Sequence, residues 1–451
     1  MKSKYSYDVL LRGQNELLSM LLFLCFILYP LGGLYVFFPR LKLYIVAMGL
    51  FCLGMTYVLI RRRLILKLYN LLKSNPKRNK TEKFLLINIF FYISWAIISI
   101  VWSIDKYSTI IGLLKLLVIL YFSFCTVIYL RYNNGKVISL SIFVSILLTF
   151  IIKLYKVIAI FGMNNFLRII SEKQVQSGNS AYSMFIHTVF ATPPLSNSQN
   201  VTDSLIVSYM GILILIIMIS SKKLFGERLL NFLVTTALIF GSLQLYIGIS
   251  KTAILCLFFL LCLLFFLYYI FRDKSVLITA AIIFLVNMLV LAINPFNIRA
   301  AVFERFSVLN PVKEKRSTTI EDISISSRIE LWKEAIEIFK HHKLIGIGYK
   351  GGQKFYLRKF RVDNPHNIFI QALSELGIIG LIFLSGVLVN LILIVLQMGR
   401  QNKFLTLNIG LILIYFFRGL NGWQFDELDI WLLIALVFYT SKKSLKLVNK
   451  L

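Results

Sequence analysis

Acidic residues are scarce in this chain: 20 Asp and Glu stand against 49 Lys and Arg, and histidine occurs only four times. Nowhere do His, Cys, Asp and Glu gather at the spacing that metal ligands need, so no metal site is expected. The five cysteines, Cys25, Cys52, Cys125, Cys256 and Cys262, contain no CxxC pair and all fall within apolar runs. They read as small buried hydrophobes, which sets aside a disulfide framework. No internal repeat relates the two halves, which weighs against a transporter built from such repeats. "GIGYKGG", Gly346 to Gly352, fits GxGxxG by letter only, because that fingerprint belongs between a strand and a helix of a parallel βαβ unit. These glycines read as a turn after a helix, and no cofactor is expected.

What the chain has in abundance is apolar length. It is 58% hydrophobic with a mean hydropathy of +0.79, and its apolar runs repeatedly reach the roughly 20 residues needed to cross hydrocarbon. The fold class expected is therefore all-α, a polytopic integral membrane protein with about twelve transmembrane helices. The spans start near Leu17, Leu41, Phe84, Thr109, Val137, Ser204, Leu229, Thr252, Ser275, Leu376, Phe404 and Asp429. The first run, Leu17 to Phe38, exceeds the apolar core of a signal peptide and lacks a small-residue cleavage site, so it reads as a retained span.

A net charge of +29 suggests nucleic acid in a soluble protein, but here the cations sit at span ends. "RRRLILKLYNLLKSNPKRNKTEK", "KKLFGER", "RDK", "GRQNK" and "SKKSLKLVNK" recur at every second junction. The positive-inside rule then puts those loops and both termini in the cytoplasm, and no nucleic-acid partner is expected.

Two segments on the opposite, outer side are long. Residues 161–203 form a polar loop rich in Ser and Asn, and residues 294–375 form one large extracytoplasmic loop before the last three spans. The organisation expected is nine spans over 1–293, a catalytic loop over 294–375, and three spans with a cytoplasmic tail over 376–451. The large loop holds His341, His342 and His366. Within it "SSRIELWKEAIEIFKHH" reads as an amphipathic helix: Ser327 and Glu330 make a capping box, and Ile329, Trp332, Ile336 and Phe339 share a face. "DNPHNIFIQALSELG" starts another helix, with Asn364 at the N-cap, Pro365 first and His366 in the first turn. His341 and His342 need no role beyond complementing a helix C-terminus. Within the spans, Lys153 and Lys156 share a face that suits a path for a lipid-borne anion, and Arg418 is within reach of Asp426 or Glu427.

"SSRIELWKEAIEIFKHHKLIGIGYKGG", followed shortly by "NPHNIFIQALSELGIIGLIFL", resembles the signature of the O-antigen ligase and polymerase superfamily, which includes Wzy-type repeat-unit polymerases. The pattern is an Arg with a Trp four residues on, a Gly-x-Gly turn, then His-Asn leading through Glu-x-Gly into a span. "GISKTAIL" and "WSIDKYSTI" are weaker matches. Many ligases carry Arg where Lys251 stands, and lysine supplies the charge without the bidentate fork.

The resemblance implies a bacterial cell-membrane (inner membrane) glycosyltransferase with its site on the extracytoplasmic face. Its substrate is an undecaprenyl-diphosphate-linked oligosaccharide, handed to an acceptor hydroxyl. His366 is the candidate base, and Arg328 and Lys251 are the candidate diphosphate-holding cations, each near a helix N-terminus where anions bind. Asn367, Tyr349 and Trp332 are candidate substrate contacts; Trp332 is equally suited to packing on its helix face. Transfer is expected to be metal-independent and inverting. The partners implied are the lipid-linked oligosaccharide, membrane lipid and a chain-length regulator protein. The activity expected is polymerisation of lipid-linked repeat units, with ligation of a finished glycan to lipid or protein as the alternative and flipping of the lipid-linked sugar as the second alternative.

Overall fold

The computed structural model describes residues 16–31, 42–61, 79–132, 136–161, 199–220, 227–248, 251–271, 274–293, 325–360, 362–397, 403–420 and 427–440, apart from 429, 438 and 439. The basic tract 62–78, most of the 161–203 loop, residues 294–324 of the large loop and Asp426 lie outside the described residues, as does the Arg418 side chain.

The described chain is a bundle of helices, because a backbone in hydrocarbon must satisfy its N–H and C=O groups within its own segment. In chain order these are α1 (Glu16–Leu28), α2 (Leu43–Arg61), α3 (Asn79–Ile98), α4 (Lys106–Tyr132), α5 (Lys136–Phe161) and α6 (Gln199–Ser220). Then follow α7 (Glu227–Gly248), α8 (Lys251–Phe271), α9 (Lys274–Ile293), α10 (Ile325–His341), α11 (Gln353–Phe360), α12 (Ile368–Leu396) and α13 (Lys403–Leu420). Residues 430–437 form α14. Among the described residues six helices are long and apolar enough to cross a bilayer, and four shorter apolar helices accompany them. Together with α13 and α14 they fall where the twelve apolar runs lie, so this is an all-helical polytopic membrane protein. Only α10 and α11 are not apolar runs.

Apolar burial does not drive one span against another in lipid, so close packing and hydrogen bonds hold them. Gly386 of α12 lies so near α3 that a Cβ there would stand 2.4 Å from Asn88 Oδ1. Phe91 stacks on Phe383 in the same seam, with centroids 5.4 Å apart. Thr56 and Tyr121 hydroxyls meet at 2.6 Å between α2 and α4. Gly211 of α6 and Gly410 of α13 likewise admit Leu411 and Leu263 against their backbones.

Lys153 of α5 is fully buried and ion-paired with Asp203 of α6, itself fully buried. The lysine that the sequence offered as lining a path is thus part of an internal pair joining two helices. Asp203 was not singled out by the sequence reading.

The bundle end that carries the large loop is built on α3, α4 and α12. α3 ends at Ile98 and α4 starts at Lys106, so residues 99–105 turn tightly there. α10 and α11 pack beside the start of α12, with Leu331, Ala335 and Tyr356 at their common core.

Candidate functional site

Three local features place the candidate residues: a kink in α12, a glycine turn pinned to it, and a short turn that carries His366.

The kink is at Gly377, whose φ of 68° and ψ of −167° belong to a region that only glycine adopts readily. There the N–H of Ile378 donates to Lys343 O at 2.9 Å and not to Ser374, four residues back in α12. The carbonyls of Ser374 and Glu375 are released, and they accept the N–H groups of Ile347 (3.1 Å) and Gly348 (2.8 Å). Leu376 O takes the indole N–H of Trp95 at 2.9 Å. A helix interior thereby acquires a short ladder with a distant segment.

That segment is the glycine turn. Gly346 and Gly348 have φ of 66° and 96°, and a Cβ at Gly348 would stand 2.4 Å from Ser103 Cβ. The close approach lets the turn seat on residues 99–105: Ile104 N donates to Ile347 O at 3.1 Å, Tyr349 N to Ser99 Oγ at 3.0 Å, and Thr109 Oγ1 to Tyr349 O at 2.5 Å. Trp102 donates its indole N–H to Ile345 O at 3.1 Å. The Glu375 carboxylate, 1% exposed, accepts from Lys350 N at 2.8 Å and from Gln371 Nε2 at 3.0 Å. The glycines make a turn as the sequence suggested, and its seat on the 99–105 turn explains why "WSIDKYSTI" belongs with it.

The His366 turn differs from expectation. The N-cap of α12 is Asn367, whose side chain accepts from Phe369 N at 3.0 Å and Ile370 N at 3.2 Å. Pro365 is therefore outside the helix, and His366 precedes the cap with a left-handed φ of 54°. The carboxamide of Asn364, itself buried, accepts His366 N at 2.8 Å, a local turn that competes with helix entry. Pro365 O accepts the indole N–H of Trp332 at 2.9 Å. The imidazole is half-buried at the mouth of α12.

Arg328 lies in the first turn of α10, one helical turn before Trp332 on the same face. The helix begins at Ile325, so Ser327 is inside it and the Ser327–Glu330 capping box does not start it. The buried face also differs: Leu331 and Ala335 are inside, whereas Ile329 and Ile336 are 42% and 40% exposed. Burial depresses the Arg328 guanidinium below its ordinary value, and a group with so high a starting value stays charged. His341 stands at the α10 C-terminus, 3.7 Å from Glu337, in keeping with a simple dipole role.

Trp332 reaches the His366–Asn367 turn through Pro365, and Arg328 stands one helical turn before Trp332 on α10. Tyr349 is elsewhere, 3% exposed, with its ring over Gly112 of α4. Lys251 is the first residue of α8, as the span start implied, and its side chain lies outside the described residues. α8 packs on α13, which meets α12 through Phe369 and Phe416 at 5.9 Å between centroids. Glu375, Ser99, Trp102 and Thr109 were missed as site-forming groups. The only sequence signal for Glu375 was its place in the Glu-x-Gly of the motif.

Residues 236–385 match the family model described as O-Antigen ligase. An 81-residue stretch is 35% identical to the exopolysaccharide production protein ExoQ of Rhizobium meliloti (strain 1021), covering 15% of this chain and 19% of that protein. The match thus spans about a fifth of the relative's length. Over residues 236–385, about a third of its length, the chain is thus similar to the O-antigen ligase family. Every candidate residue, from Lys251 to Asn367, falls inside that matched stretch.

Proposed function

We propose that this chain is a cell-membrane glycosyltransferase that polymerises lipid-linked oligosaccharide repeats at the outer face of the bilayer. In this reading the acceptor is a sugar hydroxyl of one undecaprenyl-diphosphate-linked repeat and the donor is the glycan on another. The acceptor oxygen attacks the anomeric carbon while the bond to the donor diphosphate breaks, and His366 takes the hydroxyl proton. The diphosphate leaves on its lipid with its charge held by Arg328 and Lys251. One displacement inverts the anomeric carbon, and the residue set asks for no metal. Asn367 and Trp332 flank the reacting sugars through the turn they support; burial of Tyr349 leaves seating the glycine turn as its evident work.

The observation that carries the proposal is the His366 turn. A histidine in left-handed backbone whose N–H is held by Asn364, next to a proline braced by Trp332 and just before the N-cap of a span, supports a working role for its imidazole. Arg328, one helical turn before Trp332 on the bracing helix, is the cation that this reading assigns to the diphosphate. Ligation of a finished glycan to a lipid or protein acceptor is the second reading, favoured by the description of the matching family; polymerisation is favoured by the exopolysaccharide relative.

The test is a gel of glycan products from purified protein in lipid with one defined undecaprenyl-diphosphate repeat, beside a His366→Ala sample. A ladder spaced by one repeat and absent from the variant is expected. No ladder from folded protein rejects polymerisation, and added acceptors then test ligation. A ladder that survives His366→Ala removes the base assignment, and one abolished by a chelator and restored by a divalent ion removes the metal-independent chemistry.

A further inference from the structure

A second cationic surface lies beyond the transferase residues, where the 99–105 turn meets α11. A cleft of about 480 Å³ opens there, within the size range of small-ligand sites, lined by Ile104, Asp105, Lys354, Phe355, Arg358 and Lys359. It holds three cations to one carboxylate. Lys354 and Arg358 stand four residues apart on one face of α11. Asp105 takes Lys354 at 3.0 Å, and Lys359 pairs with Glu334 of α10.

The lips of the cleft are apolar and continue into the bilayer-facing side of α4. Ile104 is 70% exposed, and Tyr107, Ile111 and Leu114 follow at helical spacing with 51%, 42% and 59% exposure. α11 contributes exposed Phe355 and Leu357 beside its basic residues, the composition of a helix lying in the headgroup layer. Cations above an apolar track at the end of a span match a molecule with a phosphate on top and an acyl chain below. A soluble anion would leave the track unused.

We propose that this cleft binds the headgroup phosphate of an anionic bilayer phospholipid between Arg358 and Lys354, with one acyl chain along the Ile104–Leu114 track. A bound phosphate there ties α11 to the 99–105 turn, and so reinforces the seat of the glycine turn from outside.

The experiment is native mass spectrometry of the full chain released from membranes containing phosphatidylglycerol, phosphatidylcholine and undecaprenyl phosphate. Wild type should retain phosphatidylglycerol, and the Lys354→Gln/Arg358→Gln chain should retain roughly tenfold less with phosphatidylcholine unchanged. A Lys333→Gln/Lys340→Gln chain, with the same charge change on exposed α10 positions, should behave as wild type. Equal loss from that control means diffuse attraction and overturns the site. Preferential retention of undecaprenyl phosphate over phosphatidylglycerol overturns it too, and gives the cleft to the polyprenyl substrate. Should the double variant misfold, brominated-chain lipids decide the matter on the unaltered surface. Quenching of Trp102, read against a Trp102→Phe chain, should be stronger with phosphatidylglycerol than with phosphatidylcholine, and equal quenching rejects the proposal.

Discussion

The carboxylate of Glu375 accepts the backbone N–H of Lys350 at 2.8 Å across 25 residues of sequence, inside a site where both are buried. One oxygen secures the glycine turn and the other takes Gln371. Replacing Glu375 by Ala strands the Lys350 N–H away from water, which costs about 1–3 kcal/mol. We expect a lower unfolding temperature in detergent for Glu375→Ala, with Glu375→Gln intermediate because it keeps one acceptor oxygen. An unchanged melt in both would mean that the ladder to Ser374 and Glu375 carbonyls holds the turn unaided.

Gly377→Ala tests the kink. A Cβ there meets Leu344 O at 2.2 Å in addition to the disfavoured φ, so the α12 start and the glycine turn cannot both keep their places. The loss expected is about 3 kcal/mol or more. Limited proteolysis near residues 343–352 should become faster than in wild type.

At His366 the backbone and the imidazole can be separated. Asn tolerates the left-handed region, so His366→Asn should keep the turn and the melting temperature. Under the proposed chemistry the same chain should lose about 10²–10⁴-fold in rate, the usual share of a general base. A variant that is folded and fully active would leave His366 a turn-former only.

Lys153 and Asp203 form the buried pair between α5 and α6. Lys153→Ala leaves an uncompensated carboxylate and should destabilise by about 3–5 kcal/mol, read as lost yield of monodisperse protein. Lys153→Met combined with Asp203→Leu should recover most of that loss. No recovery would show that the charges matter for more than packing.

Asp105 gives a pH dependence. Burial raises its carboxyl, but hydrogen bonds from Ser108 and Lys354 outweigh that and hold it below its ordinary value of 3.8. A depressed folded value means that its contribution is present above the ordinary value and fades as pH falls through the folded one. The difference in melting temperature between wild type and Asp105→Asn should therefore be constant near neutrality and close below pH 4. A difference that persists in strong acid would point to the loss of shape and not of charge.

The spans were legible because hydropathy over twenty residues survives any detail of packing. The His366 turn was half legible. Two asparagines three residues apart can each cap a helix, and Pro365 made the first more attractive. The longer apolar run after Asn367 and the Asn364 turn decided for the second. The face of α10 was misread because Ile329 and Ile336 are as apolar as Leu331, and the side that is covered is selected by neighbours from elsewhere in the chain, Tyr356, Phe360, Val362 and Ile370. The seat of the glycine turn on Ser99, Ser103 and Thr109 leaves no periodic trace at all. It depends on two segments far apart in sequence and on glycines whose φ no residue string displays.

Thr109 and the Tyr349 carbonyl that it holds are 240 residues apart in order of synthesis. At about 5–20 residues per second, roughly 12–48 s separate their emergence from the ribosome. In the folded chain the hydroxyls beside that turn also bond locally, Ser103 with Thr109 at 2.7 Å and Ser99 to Ala96 O at 2.6 Å, so the early segment has partners of its own. The later arrival of residues 343–378 closes the ladder on Gly377 and seats the turn. A chain released before that stretch would insert its early spans normally and never assemble the platform on which the rest depends.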